Sequence, residues 1–207
     1  MKTFYFLILL LSACVSTSPA PAPQPEFPAA CRESCARPWG ERLGAAGGVP
    51  AFSNCQPACV YEKPSEVNGT YAGIQWQCVE YARRWLIVAR GLTFPSIDYA
   101  ADLWDKVDHF VKVGPATPVA VRNVENGAAE VPPAEGDLLV YAREFKGTGH
   151  LAVVLSVDRR RKTLRVGEEN FSNTPWPGDY SRELAYVERT GKIWVLDAYL
   201  LGWKTTK

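Results

Sequence analysis

The sequence predicts an α+β chain, one helix set before a run of antiparallel strands, on three observations. From Cys78 onward Ala82, Trp85, Leu86 and Ala89 recur at helical spacing, basic residues gather late and Gly91 stands at the expected C′ position, which gives a helix of about three to four turns. Residues 136–141, 150–157 and 163–170 are β-rich runs, parted by a Gly-containing polar loop and by the charged turn Asp158-Arg159-Arg160-Arg161. At 207 residues and 47% hydrophobic composition, one domain of roughly 150–190 residues buries a sizeable core without repeats or a structural metal. Disorder across the whole chain is excluded.

Charge narrows the function classes. Lys and Arg number 23 against 22 Asp and Glu, a formal charge of +1, so the cationic surface that nucleic-acid binding depends on is missing. Only His109 and His150 are present, and neither has a cysteine at ligand spacing, so no metal site built on histidine and no cofactor is expected. The chemistry left is that of sulfur and carboxylates. His109 falls in a segment, 99–111, read as an amphipathic helix, where it is a surface or packing residue.

The amino terminus reads as an address. Lys2 precedes an apolar run, 4–11, too short to cross a bilayer but long enough for the core of a secretory signal. It ends in Leu11-Ser12-Ala13-Cys14, which resembles the bacterial lipobox, in which the cysteine takes a diacylglycerol and becomes the first mature residue. Residues 1–13 are then a lipoprotein signal peptide, and two or more acyl chains on Cys14 make a stable membrane anchor. Val15 after the cysteine points to the periplasm and outer membrane by analogy with bacterial sorting. The Pro/Ala-rich stretch that follows, to position 28, cannot form a core and acts as an extended spacer.

Six cysteines leave one over. Cys31-x-x-x-Cys35 and Cys55-x-x-x-Cys59, within a Cys-rich segment spanning 29–60, form two equal pairs, with Cys31 and Cys35 on one face of a helical turn. In an exported chain they read as two disulfides cross-linking the segments, with connectivity open; a four-thiolate zinc site has the same ligand count, but an oxidising compartment disfavours it. With Cys14 assigned to lipid, Cys78 is unpaired and sits in the first turn of its helix. There the dipole and the free backbone N–H groups favour thiolate over thiol, which makes a cysteine nucleophilic near neutral pH, and its own N–H is placed to hold an oxyanion. From this segment alone a buried structural cysteine stays equally open.

A thiolate needs a proton partner. Strand alternation puts His150, Ala152 and Val154 on one face and groups Leu164, Val166, Glu168 and Asn170, with Glu169 opposite. With Asp158 to Arg160 as the turn, His150 falls across from Glu168, at about 4.5–5.5 Å between Cβ atoms, where a carboxylate orients an imidazole. Another turn length brings Asn170, or neither residue, opposite the histidine.

Four ordered blocks carry a resemblance: Trp76-Gln77-Cys78-Val79-Glu80-Tyr81-Ala82-Arg83-Arg84, Gly136-Asp137-Leu138-Leu139-Val140, Gly149-His150-Leu151-Ala152-Val153-Val154 and Glu168-Glu169-Asn170. Together they resemble CHAP domains, the cysteine, histidine-dependent amidohydrolases/peptidases, and within them the amidase domain of glutathionylspermidine synthetase/amidase. The likeness runs from about Leu43 to Trp203, so that 43–207 is taken as the amidase-like domain. It implies a papain-like fold, with the nucleophile helix on an antiparallel sheet, and a reaction at an amide bond. It assigns the nucleophile to Cys78, the general base and acid to His150 and the orienting carboxylate to Glu168. It further implies substrate contacts at Arg83 and Asn170, and at Gln77 a contribution to the oxyanion site. The chain departs from the family in its Arg-rich turn, its extra cysteine pairs and its export signal.

Three roles are compatible with these residues. An anchored exported enzyme lies beside peptidoglycan, so a wall peptide or peptide–sugar amide is the first expectation. The second is a glutathionyl-polyamine conjugate, and the third a catalytically idle lipoprotein that binds peptide. A monomer is expected. Trp76, Tyr81, Trp85 and Trp176 are read as core residues or cleft walls, and Tyr141 and Phe145 as a candidate lid before His150.

Overall fold

The computed structural model describes residues 26–206, apart from the initial Met1. The signal peptide, Cys14 and most of the spacer lie outside the described residues. Among those described, no helix is long and apolar enough to cross a membrane.

A 3-10 turn at Ala29–Cys31 leads into two hairpins, β1 (Arg42–Ala46) with β2 (Val49–Phe52) and β3 (Pro64–Val67) with β4 (Thr70–Ile74). Helix α1 (Cys78–Arg90) follows, then β5 (Leu92–Thr93), a short α2 (Asp102–Lys106), β6 (His109–Lys112) and β7 (Pro118–Ala120), the three strands forming a small sheet. The remaining strands are β8 (Arg122–Glu125), β9 (Leu138–Tyr141), β10 (His150–Asp158), β11 (Thr163–Gly167), β12 (Arg182–Arg189), β13 (Lys192–Val195) and β14 (Leu200–Thr205). They make one seven-stranded antiparallel sheet in the order β13-β12-β11-β10-β9-β14-β8. The α+β architecture is as the sequence predicts.

The sheet is buried on both faces. Leu151 and Val153 point to the α1 side, where Tyr81, Ala82, Trp85 and Leu86 meet Leu138 and Val140. Ala152 and Val154 point the other way, onto Leu164, Val166, Tyr186 and Trp203. Double burial explains the near-continuous apolar run of β10, since each face must be dry. Helix α1 starts and stops where expected: Gln77 at the N-cap is extended, and Gly91 takes a left-handed φ of 62° and returns its N–H to Ile87 and Leu86 carbonyls. Gly73 lets β4 lie against the helix, because a Cβ there would sit 3.0 Å from the Cα and Cβ of Glu80.

The helix expected over 99–111 is only the five residues of α2. Val107 is already extended, and His109 begins β6 and pairs with Ala120, so the apolar spacing served a turn and a strand instead. His109 is half-exposed and bonds the neighbouring Asp108 at 2.6 Å.

The two cysteine pairs cross-link. Cys31 joins Cys59 and Cys35 joins Cys55, closing spans of 28 and 20 residues, each worth about 3 kcal/mol in the chain-entropy account. Cys35 lies past the 3-10 turn, so the shared helical face is not what aligns the bridges. Phe27, Trp39 and Tyr61 pack round them edge to face at 5.2–5.3 Å.

Candidate active site

Cys78 opens α1 and is the free cysteine among the described residues. The first intrahelical bond runs from the Tyr81 N–H to the Gln77 carbonyl at 3.0 Å, so the N–H groups of the three residues before it have no acceptor in the helix. One of them, from Val79, reaches Sγ, as does the N–H of Leu151 on β10. Burial opposes the thiolate, but the charge and hydrogen bond of His150, with those two N–H groups, outweigh it and hold the Cys78 pKa below its ordinary value.

His150 begins β10 and is fully enclosed. The residue before it has to be glycine: Gly149 has φ 77°, and a Cβ there would lie 2.6 Å from the Tyr141 carbonyl oxygen and 2.8 Å from Ala101. One ring nitrogen, Nε2, is 2.7 Å from Glu168 Oε2, which leaves Nδ1 for the sulfur. Burial pulls the imidazole pKa down, but the Cys78 thiolate and Glu168 raise it to about 9. Each of the two groups thus favours the charged form of the other.

Glu168 faces His150 by a route the sequence did not reveal. The β10–β11 turn takes in one more residue than expected, with Asp158 paired to Thr163, and a bulge near Leu155 shifts the ladder again, so that Val153 pairs with Gly167. The predicted direct opposition of His150 and Glu168 is thus wrong. The ladder stops at Gly167, the chain turns away, and the Glu168 side chain reaches back to the ring. The predicted facing directions hold: Glu168 lies with His150, while Glu169 lies on the α1 side, accepting from the Phe52 N–H at 2.7 Å and Arg84 at 2.8 Å.

Arg182 on β12 completes the acid. Its Nε donates to Glu168 Oε1 at 2.5 Å and its Nη2 to Oε2 at 3.2 Å, while Nη1 holds Asp197 at 2.8 Å. Burial alone would raise the Glu168 pKa; His150 and Arg182 bring it to about 2. Sequence reading did not single out Arg182, and only its place in β12, paired with Val166, signals the contact.

The expected substrate contacts fare differently. Arg83 lines the groove over Cys78, but it is 2% exposed and donates to the carbonyls of Phe94, Ala72 and Pro95 at 3.2, 2.8 and 3.0 Å. Burial lowers its pKa to about 10, and two of its five N–H groups are left for a ligand. Gln77 also lines the groove, yet both hydrogens of its amide are committed, to Asn54 Oδ1 at 3.3 Å and the Cys59 carbonyl at 3.0 Å. It does not serve as an oxyanion donor in this arrangement; the Cys78 N–H is the group placed for that. Asn170 donates to Gln77 Oε1 at 2.9 Å and holds the site together from beside it.

The groove measures about 420 Å³, with the exposed side chains Val60, Tyr71 and Tyr99 on its walls and Asp98 and Thr148 at its rim. The aromatics read as core or cleft wall are packed in the interior rather than lining the groove. Tyr81 and Trp85 are core, Trp176 packs on Tyr81, and Trp76 stacks with Phe52 and Trp39. Tyr141 is no lid: it is a buried strand residue whose hydroxyl donates to Asp197 at 2.7 Å. Phe145 stacks on Phe171 at 5.6 Å, both against the His150 ring. Lys146, not anticipated, donates to the Asn170 and Phe171 carbonyls, and its charge reaches Cys78 and Glu168. No cluster of His, Cys, Asp and Glu able to hold a metal occurs among the described residues.

A family model described as CHAP domain matches residues 68–170, the stretch that holds Cys78, His150 and Glu168. Residues 68–170 are a CHAP domain. The chain is also 31% identical over 193 residues to a glutathionylspermidine synthase of Crithidia fasciculata, covering 82% of this chain and 27% of that protein. A trypanothione synthetase of the same organism is 28% identical over 177 residues, 81% and 26% of the two chains. A bifunctional glutathionylspermidine synthetase/amidase of Escherichia coli is 30% identical over 182 residues, 80% and 29%. The chain thus spans little more than a quarter of the length of these relatives. The CHAP match starts at Asn68, beyond the cystine segment, and takes in the α1 helix, strands β8 to β11 and the Cys–His contact, while β12, β13 and β14 of the sheet lie past its end.

Proposed function

We propose that the CHAP domain hydrolyses an amide bond through an acyl-enzyme on Cys78, with His150 as proton carrier and Glu168 as its orienting acid. The observation that carries this is the Glu168–His150 contact of 2.7 Å behind a sulfur whose thiolate is favoured at a helix start. The Cys78 thiolate attacks the carbonyl carbon, and the resulting oxyanion takes the Cys78 N–H. His150 gives its Nδ1 proton to the departing amine, the C–N bond breaks and a thioester remains. Water then attacks the thioester as His150 takes its proton, releasing the acid and restoring the sulfur. Throughout, Glu168 keeps the ring in one orientation and stabilises its cation.

The substrate we favour is an amide of a cell-wall peptide. The export signal and lipobox read from the sequence support it, as does the pocket of about 420 Å³ over Cys78, lined among others by the exposed Tyr71 and Tyr99. In this reading the enzyme is a lipoprotein of the periplasmic or outer-membrane surface. A second reading, an amidase on a glutathionyl-polyamine conjugate, is favoured by the names of the relatives and by the cation of Arg83 under the groove. Release of new amines from purified muropeptides and from glutathionylspermidine, with Cys78→Ala as control, separates them. Release from muropeptides alone supports the first reading. Release only from glutathionylspermidine replaces it with the second, and release from neither, despite a reactive Cys78, favours a peptide-binding role.

A further inference from the structure

The cystine segment lies outside the family match, yet it touches the catalytic machinery. Asn54, fully buried between Ser53 and Cys55, makes every bond its amide allows. Its Nδ2 donates to the Gln56 carbonyl at 3.1 Å and the Cys59 carbonyl at 2.8 Å, and its Oδ1 accepts from Gln77 Nε2 at 3.3 Å. Its backbone N–H donates to Asn173 Oδ1 at 2.8 Å; Asn173 donates to Asn170 at 3.2 Å, and Asn170 to Gln77 at 2.9 Å. Four amide residues thus close a ring that joins the residue just before Cys55, the N-cap of α1 and the chain just after Glu168.

Asn54 is flanked by two held residues: Ser53 before it exchanges backbone bonds of 2.8 Å with Gly40 and Glu41, and Cys55 after it is a cystine cysteine. Residues 32–41 carry no helix or strand and are mostly exposed; the cystine cysteines Cys31, Cys55 and Cys59 are buried together, and Ser53 and Asn54 are buried as well. Cys55 is bridged to Cys35 and Cys59 to Cys31, so the residue next to Asn54 and the residue whose carbonyl accepts from Gln77 are both tied down. Gln77, the residue those groups hold, supplies the carbonyl that starts α1 and immediately precedes the nucleophile.

We propose that Asn54 is a positioning residue for Cys78, and that the two cystines hold it in place, so that the nucleophile is fully formed only while both bridges are intact. This rests on Cys78 being the nucleophile and is independent of the substrate. Opening each bridge takes two electrons and two protons; in the test a phosphine supplies the electrons and becomes its oxide, water supplies the oxygen and the protons, and the two bridges yield four thiols without touching Cys78. The sign is opposite to that of an ordinary thiol enzyme, which reductants protect.

The test is site-resolved alkylation of Cys78 by iodoacetamide across pH 5–9, read by mass spectrometry, on the full chain. In Asn54→Ala, which keeps both cystines, the acid limb moves to higher pH and the rate at pH 6 falls about tenfold or more, as the held sulfur loosens. The phosphine-treated wild type and a variant with all four cystine cysteines changed to serine shift the same way. Asn54→Asp, which keeps the acceptor for Gln77 but loses both donors, shifts partway and serves if Asn54→Ala does not fold. An Asn54→Ala or Asn54→Asp profile that overlays the wild type, even with a lowered Tm, overturns the proposal, because a merely structural role leaves the limb in place. A wild-type Cys78 no more reactive at pH 6 than a free thiol refutes instead the nucleophile reading beneath it.

Discussion

At the scale of single residues, the site is a charge balance. His150 is protonated near neutral pH because two anions, the Cys78 thiolate and Glu168, face its two nitrogens, and their combined effect exceeds the cost of burying the ring. Replacing Glu168 by glutamine removes one anion. The alkaline limb of kcat/KM, set by the imidazole near pH 9, then moves to lower pH, and activity falls on the order of 10²-fold or more. A pH profile of amine release checks both, and an unmoved limb contradicts the assignment of the acid. Arg182 answers Glu168 and Asp197 at once while itself largely shielded, so Arg182→Met leaves two carboxylates short of their cation. The loss, about 3–5 kcal/mol in urea unfolding, is not recovered by Arg182→Lys, whose single ammonium cannot reproduce the fork.

Elements fix where those residues stand, and α1 is pinned to the sheet by a buried trio. Arg84 donates to Glu80 at 2.6 and 3.1 Å and to Glu169 at 2.8 Å, with Ser65 adding a 2.6 Å bond to Glu80. Burial first, and then the charge of Glu80, raise the Glu169 pKa well above the usual carboxylate range, so the folded chain binds a proton there that the unfolded chain has lost. The stability from this group is complete below about pH 4 and is lost as pH rises towards the folded-state pKa. Between pH 5 and 8, Glu169→Gln should therefore gain Tm relative to wild type as pH rises; a difference that stays flat contradicts this. At the start of β10, Gly149→Ala forces a Cβ into the Tyr141 carbonyl and Ala101 and strains a left-handed backbone. It costs about 1–3 kcal/mol and displaces the histidine that follows, measurable as a lower Tm together with slower Cys78 alkylation.

Much of this was legible. The leftover sulfur, the helix start and the Gly91 stop follow from local spacing and cysteine arithmetic, and local signals are what sequence carries best. The β10–β11 register was not, because a bulge at Leu155 and an extra turn residue leave no mark in alternation. Nor was Arg182, whose contact depends on the strand order. The 99–111 segment had helical spacing, but tertiary pairing with β7 took its second half into a strand. Gln77 and Asn170 are substrate contacts by likeness alone; in the structure the Gln77 amide is consumed by Asn54 and Cys59 of the cystine segment, outside the family match, and the Asn170 amide by Gln77 and Asn173.

Over the whole molecule, Cys78 and His150 come from different elements and meet only because one core joins them. Cys78 rides on α1, His150 on the central strand of the large sheet, and Leu151 beside the histidine is completely buried against the helix. Leu151→Ala costs about 2–5 kcal/mol and lets the two elements part, seen as a lower urea midpoint. The central claim, that these elements deliver an ion pair of sulfur and imidazole, is tested most directly by the pH dependence of Cys78 alkylation in the wild type and in His150→Ala. The wild type is expected to react with a midpoint below the ordinary thiol value of about 8.5, and His150→Ala to return to that value. Equal midpoints near 8.5 in both proteins would contradict it.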